Sequence, residues 1–143
     1  MDLERSTPAD EPAIADLLAG AGLPVVGLAG AFEHGVAARQ GGTIVGAAAV
    51  ELYGAAGLLR SVVVDAARRG EGLGRRLVGA AESVAREAGV SDLYLLTESA
   101  PEWFPRLGYE PVDREVARSA VGASVEFDLT CAINGVALRR RLG

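Results

Sequence analysis

The spacing of apolar positions along the chain switches repeatedly between a helical and a strand period. Thr7-Pro8-Ala9-Asp10 has the form of a helix start, a capping hydroxyl followed by proline at the first helical position. Ile14, Leu17 and Leu18 follow at helical spacing, which predicts a helix to about Ala21. Gly22-Leu23-Pro24 ends it, and the Gly- and Ala-rich stretch to Glu33 reads equally as a short second helix or a loop. Val36 to Arg39 and Thr43 to Leu52 flank Gln40-Gly41-Gly42, the pattern of a hairpin whose turn needs permissive glycines.

Gly54 to Gly57 then turn the chain into Leu58 to Asp65, whose β-branched run predicts a largely buried strand. From Gly72 onward Leu73, Leu77, Ala80, Ala81, Val84 and Ala88 recur at helical spacing, while Arg75, Arg76, Glu82, Arg86 and Glu87 take the other face. Gly89 closes this helix as a left-handed cap. Ser91 to Thr97 is a further strand, and a strand–helix–strand connection of this length requires it to run parallel to Leu58–Asp65. Ala100 to Leu107 predicts a short helix. Gly108 to Val112 and Ser124 to Leu129 predict closing strands separated by a polar segment.

Composition narrows the function classes. A chain of 143 residues that is 50% hydrophobic has room for one domain, taken as 1–143, with a substantial core. Its longest apolar stretches, such as Ile44 to Val50, fall far short of the ~20 residues of a membrane span. The start at Met1-Asp2-Leu3-Glu4-Arg5 lacks the basic and apolar regions of a secretory signal, so the expected address is cytoplasmic. One cysteine, Cys131, and one histidine, His34, are too few for a soft-ligand metal site, so no metal is expected. Cys131 as a nucleophile would need a base beside it, and its neighbours supply none; a buried or idle thiol is the alternative. Nineteen acidic against 14 basic residues give a net charge of -5, which opposes nucleic acid or an anionic membrane as partner. Any anion site must therefore be local. Arg68, Arg69, Arg75 and Arg76 cluster around one turn; Arg139, Arg140 and Arg141, near the C-terminus, read as a solvated basic tail.

That turn, Arg68-Arg69-Gly70-Glu71-Gly72-Leu73-Gly74-Arg75, joins the buried strand to the amphipathic helix. Unpaired backbone N–H groups at a helix start favour anions, glycines let the backbone approach a ligand, and Arg69 and Arg75 can add charge-assisted hydrogen bonds to phosphate. A nucleotide P-loop would need Lys and then Ser or Thr after the last glycine, but Arg75-Arg76 stand there. A dinucleotide fingerprint would need a third glycine where Arg75 or Leu77 stands.

The remaining pattern, Arg-x-x-Gly-x-Gly at Arg69, Gly72 and Gly74, resembles the GNAT superfamily of N-acetyltransferases, as does the segment Trp103-Phe104-Pro105-Arg106-Leu107-Gly108-Tyr109. The likeness extends in element order over roughly Leu3 to Leu129. It implies an α/β (α+β) fold: a mixed, mostly antiparallel sheet of about six or seven strands with one splayed parallel pair, flanked by about four helices. It further implies acetyl-CoA as co-substrate. The turn residues Arg69, Gly70, Glu71, Gly72, Leu73, Gly74 and Arg75 would hold the pyrophosphate, and the strand Val62, Val63 and Val64 would pair with the pantetheine arm. Glu51-Leu52-Tyr53-Gly54, Leu58-Leu59-Arg60-Ser61, Leu93 to Glu98 and Ser124 to Phe127 are similar to the arsenic-resistance-associated branch. Cys131-Ala132 departs from the Cys-Pro of that branch.

By the same resemblance the amine attacks the thioester directly. Glu51 and Glu98 are the candidate catalytic carboxylates, Glu51 being the expected general base; a solvated strand-end carboxylate or an ion pair with Arg60 is the alternative. Tyr53, Arg60 and Ser61 are candidate substrate-binding residues, with Arg60 either binding an acidic group or forming a structural salt bridge. Phe104 occupies the position where many members carry a tyrosine general acid; Ser61 or Tyr94 are the other hydroxyls near the expected cleft. The expected acceptor is a small-molecule amine: an amino acid, xenobiotic or organoarsenical. An idle acetyl-CoA-binding module and a protein N-terminal or lysine acetyltransferase are the alternatives. A homodimer is common among similar proteins.

Overall fold

The computed structural model describes residues 2–23, 34–97, 102–122 and 136–142. Among these residues seven strands form one sheet: β1 (Asp2–Arg5), β2 (Gly35–Gln40), β3 (Thr43–Tyr53), β4 (Ala56–Val64), β5 (Asp92–Thr97), β6 (Glu110–Pro111) and β7 (Val136–Arg141). Their spatial order is β1-β2-β3-β4-β5-β7-β6, and among the described residues β4–β5 is the one parallel pair. Among the described residues there are three α-helices, α1 (Glu11–Gly20), α2 (Leu73–Glu87) and α3 (Arg114–Val121), besides short 3-10 turns. This is the mixed, mostly antiparallel sheet expected from the sequence.

The sheet is covered on both faces. Leu73, Leu77, Val78 and Ala81 of α2 pack on Val45, Ala48, Val50 and Leu59. On the opposite face Ile14 and Leu18 of α1 cover Ala37, Ala47 and Ala49, while Ala117 and Val121 of α3 cover Leu58, Tyr94 and Leu96. Alanines in β2 and β3 let helices approach closely on both sides, and Gly46 is the extreme case. A Cβ there would stand 2.7 Å from Leu77 Cδ1 and 3.1 Å from the Val63 carbonyl oxygen.

Helix α1 is anchored by its entry turn. Thr7 N–H donates to Asp10 Oδ2 at 2.9 Å, and Arg39 of β2 bonds both Asp10 and Glu4. Burial pushes the Asp10 carboxyl up, but hydrogen bonds from Arg39 and Thr7 outweigh it and hold the group below the ordinary carboxylate value.

The structure departs from the sequence reading in several places. Asp2–Arg5 is a strand pairing with β2. The polar segment before residue 122 holds α3, capped by Asp113, whose carboxylate accepts from Glu115 N–H at 2.8 Å. The predicted helix over Ala100 to Leu107 is, in its described part, a 3-10 turn at Phe104–Leu107, which Pro105 can enter where it would break a longer helix. The arginine-rich tail is β7, inserted between β5 and β6. Glu82, assigned to the polar face of α2, is buried: Arg140 NH1 donates to both its oxygens, at 2.9 and 2.8 Å, and Tyr109 OH donates at 2.8 Å. A carboxylate with a charged partner and two donors satisfies the condition for burial. The predicted strand Ser124–Leu129 and Cys131 lie outside the described residues.

Candidate functional site

The parallel pairing of β4 and β5 runs from Ala56–Asp92 to Leu59–Leu95 and stops there. A bulge sits just beyond. Ala47 pairs with Val63 and Ala49 with Arg60, so β4 carries one residue more than β3 between these rungs. Ser61 takes up the excess with φ 57, the only positive φ at a non-glycine among the described residues. The extra residue resets the alternation of β4: Leu59, Val62 and Val64 contact the α2-side cluster, whereas Leu58 and Val63 belong to the opposite face. Beyond Leu95 β5 pairs only with β7, leaving a cleft between β5 and β4.

Beyond that cleft β4 leads through Arg69 into the turn. Gly70 and Gly72 have φ of 84 and 79, a region that penalises any side chain, and no atom lies within 4 Å of where their Cβ would be. Their conformation is what demands glycine. Arg76 N–H bonds Gly72 O at 3.2 Å. The amides of Leu73, Gly74 and Arg75 precede this first rung and point out of the helix start, where the dipole is positive. Arg69 Nε donates to Val64 O at 3.4 Å, tying the arginine to the end of β4.

These pieces bound one groove of about 480 Å³. Of the candidate cofactor residues, Val62, Val63, Val64, Arg69, Gly70, Gly72, Leu73, Gly74 and Arg75 line it; Glu71 is exposed and does not. Arg68, Trp103 and, from the end of α1, Ala21 and Leu23 line it as well. The α1 residues carry no local signal in the sequence, since only the packing of α1 across the sheet brings them here. The groove unites apolar walls with an arginine-rich, amide-lined end, a shape suited to a long ligand that is apolar or amide-bearing along its length and anionic at one end.

Glu51, Tyr53, Arg60 and Ser61 form a separate cluster where the strands part, on the α1 and α3 face of the sheet. Arg60 is 2% exposed, and its NH1 donates to Glu51 Oε2 at 2.7 Å while its Nε donates to Ser61 Oγ at 3.2 Å. Tyr53 OH donates to Glu51 Oε1. The Glu51 side chain keeps 18% of its surface exposed, so its carboxylate is held in place yet reachable. Glu98 lies outside the described residues.

Phe104 is buried, edge-on to Trp103 with centroids 4.8 Å apart and to Tyr109 at 6.0 Å. Tyr94 is buried on the α3 face. The Tyr109 hydroxyl is committed to Glu82, and burial together with the Glu82 charge raises its pKa far above that of a free phenol. No group of His, Cys, Asp and Glu among the described residues has a metal-binding arrangement. No helix among them is long and apolar enough to cross a membrane.

A family model for the acetyltransferase (GNAT) domain matches residues 31–111. Over 75 residues the chain is 35% identical to an uncharacterized N-acetyltransferase of Chlorobaculum tepidum, a stretch covering 52% of this chain and 48% of that relative. The match therefore spans about half the length of the curated relative. The structure of Rv2747 from Mycobacterium tuberculosis in complex with CoA and NLQ superposes with a TM-score of 0.78 and 24% identity over 99% of each chain. The N-acetylglutamate synthase of Neisseria gonorrhoeae, complexed with coenzyme A and N-acetyl-glutamate, gives 0.83 at 22% identity over 99% of this chain and 35% of that one. At these identities the two structures share the fold with this chain.

Proposed function

This chain belongs to the acetyltransferase (GNAT) family, and from that premise we propose that it moves an acetyl group from acetyl-CoA to a primary amine of a small molecule, in a ternary complex and by direct attack. The observation that carries the reading is the continuity of the groove, from the stretch of β4 at Val62–Val64 that β3 pairs on one edge and β5 leaves open on the other to the amides and arginines at the start of α2. Val62, Val63 and Val64 would offer backbone groups to the pantetheine arm. Gly70, Gly72, Leu73 and Gly74, with Arg69 and Arg75, would receive the pyrophosphate, Glu71 contributing through its place in the turn. The two similar structures solved with coenzyme A support this assignment.

Acetyl-CoA, when bound, supplies the thioester carbonyl that the amine attacks. The protein must hold the amine beside that carbon and take its proton. Glu51 is the base in this reading: Arg60 and Tyr53 fix its carboxylate at the point where β4 and β5 part, and its partial exposure lets an amine or a bridging water reach it. Glu98, directly after β5, is the second carboxylate. Tyr53, Arg60 and Ser61 shape the acceptor side, with Arg60 acting through Glu51 and Ser61. With Phe104 at the usual tyrosine position, the leaving group departs as a thiolate, tolerable because a free thiol has a pKa of about 8.5.

The acceptor class is a small amine, supported by the small products in the names of similar proteins such as N-acetyl-glutamate. The arsenic-resistance-like segments extend it to amine-bearing organoarsenicals. We take the chain as one acetyltransferase domain over 1–143, acting in the cytoplasm on a diffusible substrate.

Calorimetric titration with acetyl-CoA tests the cofactor site. Arg69→Ala and Gly72→Asp should each weaken binding at least about tenfold, through loss of a charged hydrogen bond and through backbone strain with like charge. A wild-type protein that does not bind would overturn the reading. Release of free thiol over a panel of amino acids, xenobiotic amines and aminated arsonates then tests turnover. Glu51→Gln should lower kcat/KM by about 10²- to 10⁴-fold while leaving acetyl-CoA affinity unchanged. Binding with no turnover on any amine would support the idle module to which Phe104 points.

A further inference from the structure

The glycines of the anion-binding turn are required for different reasons, and the difference singles out Trp103. Gly70 and Gly72 are glycines because of their φ, with open space where a side chain would go. Gly74 is ordinary helical backbone, in the first turn of α2. A Cβ on it would stand 3.2 Å from Trp103 Cζ2 and 3.3 Å from Cη2, with Val64 Cγ2 at 3.7 Å. The outer edge of the indole therefore lies directly on the helix start, in the space that a methyl group would occupy. The next glycine of α2, Gly79, has nothing within 4 Å.

Trp103 is also held from behind. Its ring meets Phe104 edge-on, Phe104 meets Tyr109, and the Tyr109 hydroxyl is bonded to Glu82 of the same helix. The segment 103–109 thus clasps α2 at two levels, through the indole on Gly74 and through the phenol on Glu82. The indole lines the same groove as Val62, Val64, Arg69 and Arg75.

Building on the acetyl-CoA reading, we infer that Trp103 is a positioning residue for the coenzyme site: its indole, seated on Gly74, sets the placement of the α2 amides and closes the groove beside them as an apolar wall for the pantetheine arm. Gly74 is then a glycine chiefly to admit this ring, and only secondarily to let backbone approach phosphate. The two explanations make opposite predictions for a paired substitution. An added methyl at position 74 displaces the indole by a few tenths of an ångström, and a ring lacking the outer indole atoms would remove the conflict.

The test is a double-mutant cycle on coenzyme A affinity, using Gly74→Ala, Trp103→Phe and both together, with thermal melting to verify folding. Gly74→Ala alone should weaken coenzyme A about five- to tenfold and shift the emission of the only tryptophan in the chain. Trp103→Phe alone should cost about threefold or less, and the double variant should bind like Trp103→Phe. Gly79→Ala, the control, should change neither affinity nor emission. Coenzyme A should itself shift the Trp103 emission in the wild type. Unimpaired binding by Gly74→Ala, or a defect that Trp103→Phe does not relieve, would overturn the inference while leaving the cofactor site standing. Failure of the wild type to bind would instead overturn the underlying reading.

Discussion

A phenol, a carboxylate and a guanidinium meet beneath α2, and at the residue scale this cluster dictates how stability should follow pH. Burial first, and the Glu82 charge second, hold the proton on Tyr109 beyond the pH at which a free phenol loses it. The unfolded chain therefore releases that proton first, near pH ~10. The contribution is complete below that pH and declines as pH rises above it. The sequence contains no lysine, so that residue type adds nothing to the alkaline limb. Tyr109→Phe should cost about 1–2 kcal/mol at neutral pH and flatten the alkaline decline, measured as urea midpoints between about pH 8 and 11. Parallel slopes for the two proteins would contradict it. Asp10 gives the opposite limb. Its pKa is depressed, so its contribution is present above about pH 4 and is lost as pH falls through the folded value. Asp10→Asn should reduce the acid-side slope without altering the alkaline one. The site residues divide in legibility at this scale. The glycines and arginines of the turn announce themselves, because a candidate anion site built from one contiguous segment is local chemistry. The pairing of Glu51 with Arg60 is not so determined, since a strand-end carboxylate is solvated or paired according to what the bulge at Ser61 places beside it.

At the scale of elements, the hairpin of β2 and β3, the strand β4, the helix α2 and the strand β5 are legible in the sequence to within a few residues. In each, apolar period and punctuating glycines agree. β1, α3 and β7 are not legible because their patterns are polar or basic and their existence depends on pairing. Asp2–Arg5 needs β2 beside it, and Arg139 to Arg141 stay in a strand because β5 and β6 supply hydrogen bonds and Glu82 receives Arg140. Helix α2 offers a paired test of how it sits on the sheet. Gly79→Ala fills open space on a helix and should stabilise by about 1 kcal/mol through helix propensity. Gly46→Ala would push a methyl against Leu77 and the Val63 carbonyl and should destabilise by about 1–3 kcal/mol. Equal thermal shifts for the two variants would mean that α2 is not as closely seated on β3 as the geometry requires.

For the whole molecule, a net charge of -5 coexists with a groove end lined by Arg68, Arg69 and Arg75, so attraction of an anionic coenzyme rests on local field against a repulsive background. Acetyl-CoA affinity should therefore fall with salt, by about an order of magnitude between roughly 50 and 500 mM NaCl. An affinity flat over that range would remove the arginines from the binding account. The sequence by itself determined the βαβ unit, the glycine- and arginine-rich turn within it and the family resemblance, because each depends on residues adjacent in the chain whose period, φ requirement or charge acts locally. Only the tertiary structure decided where β4 and β5 part, which side chains cross from α1 and the 103–109 segment to wall the groove, and which charges are buried in pairs. Those outcomes depend on register, on a single extra residue in β4 and on the distance at which a helix can lie on alanine and glycine. They are properties of packing between segments remote in sequence, and no local pattern encodes them.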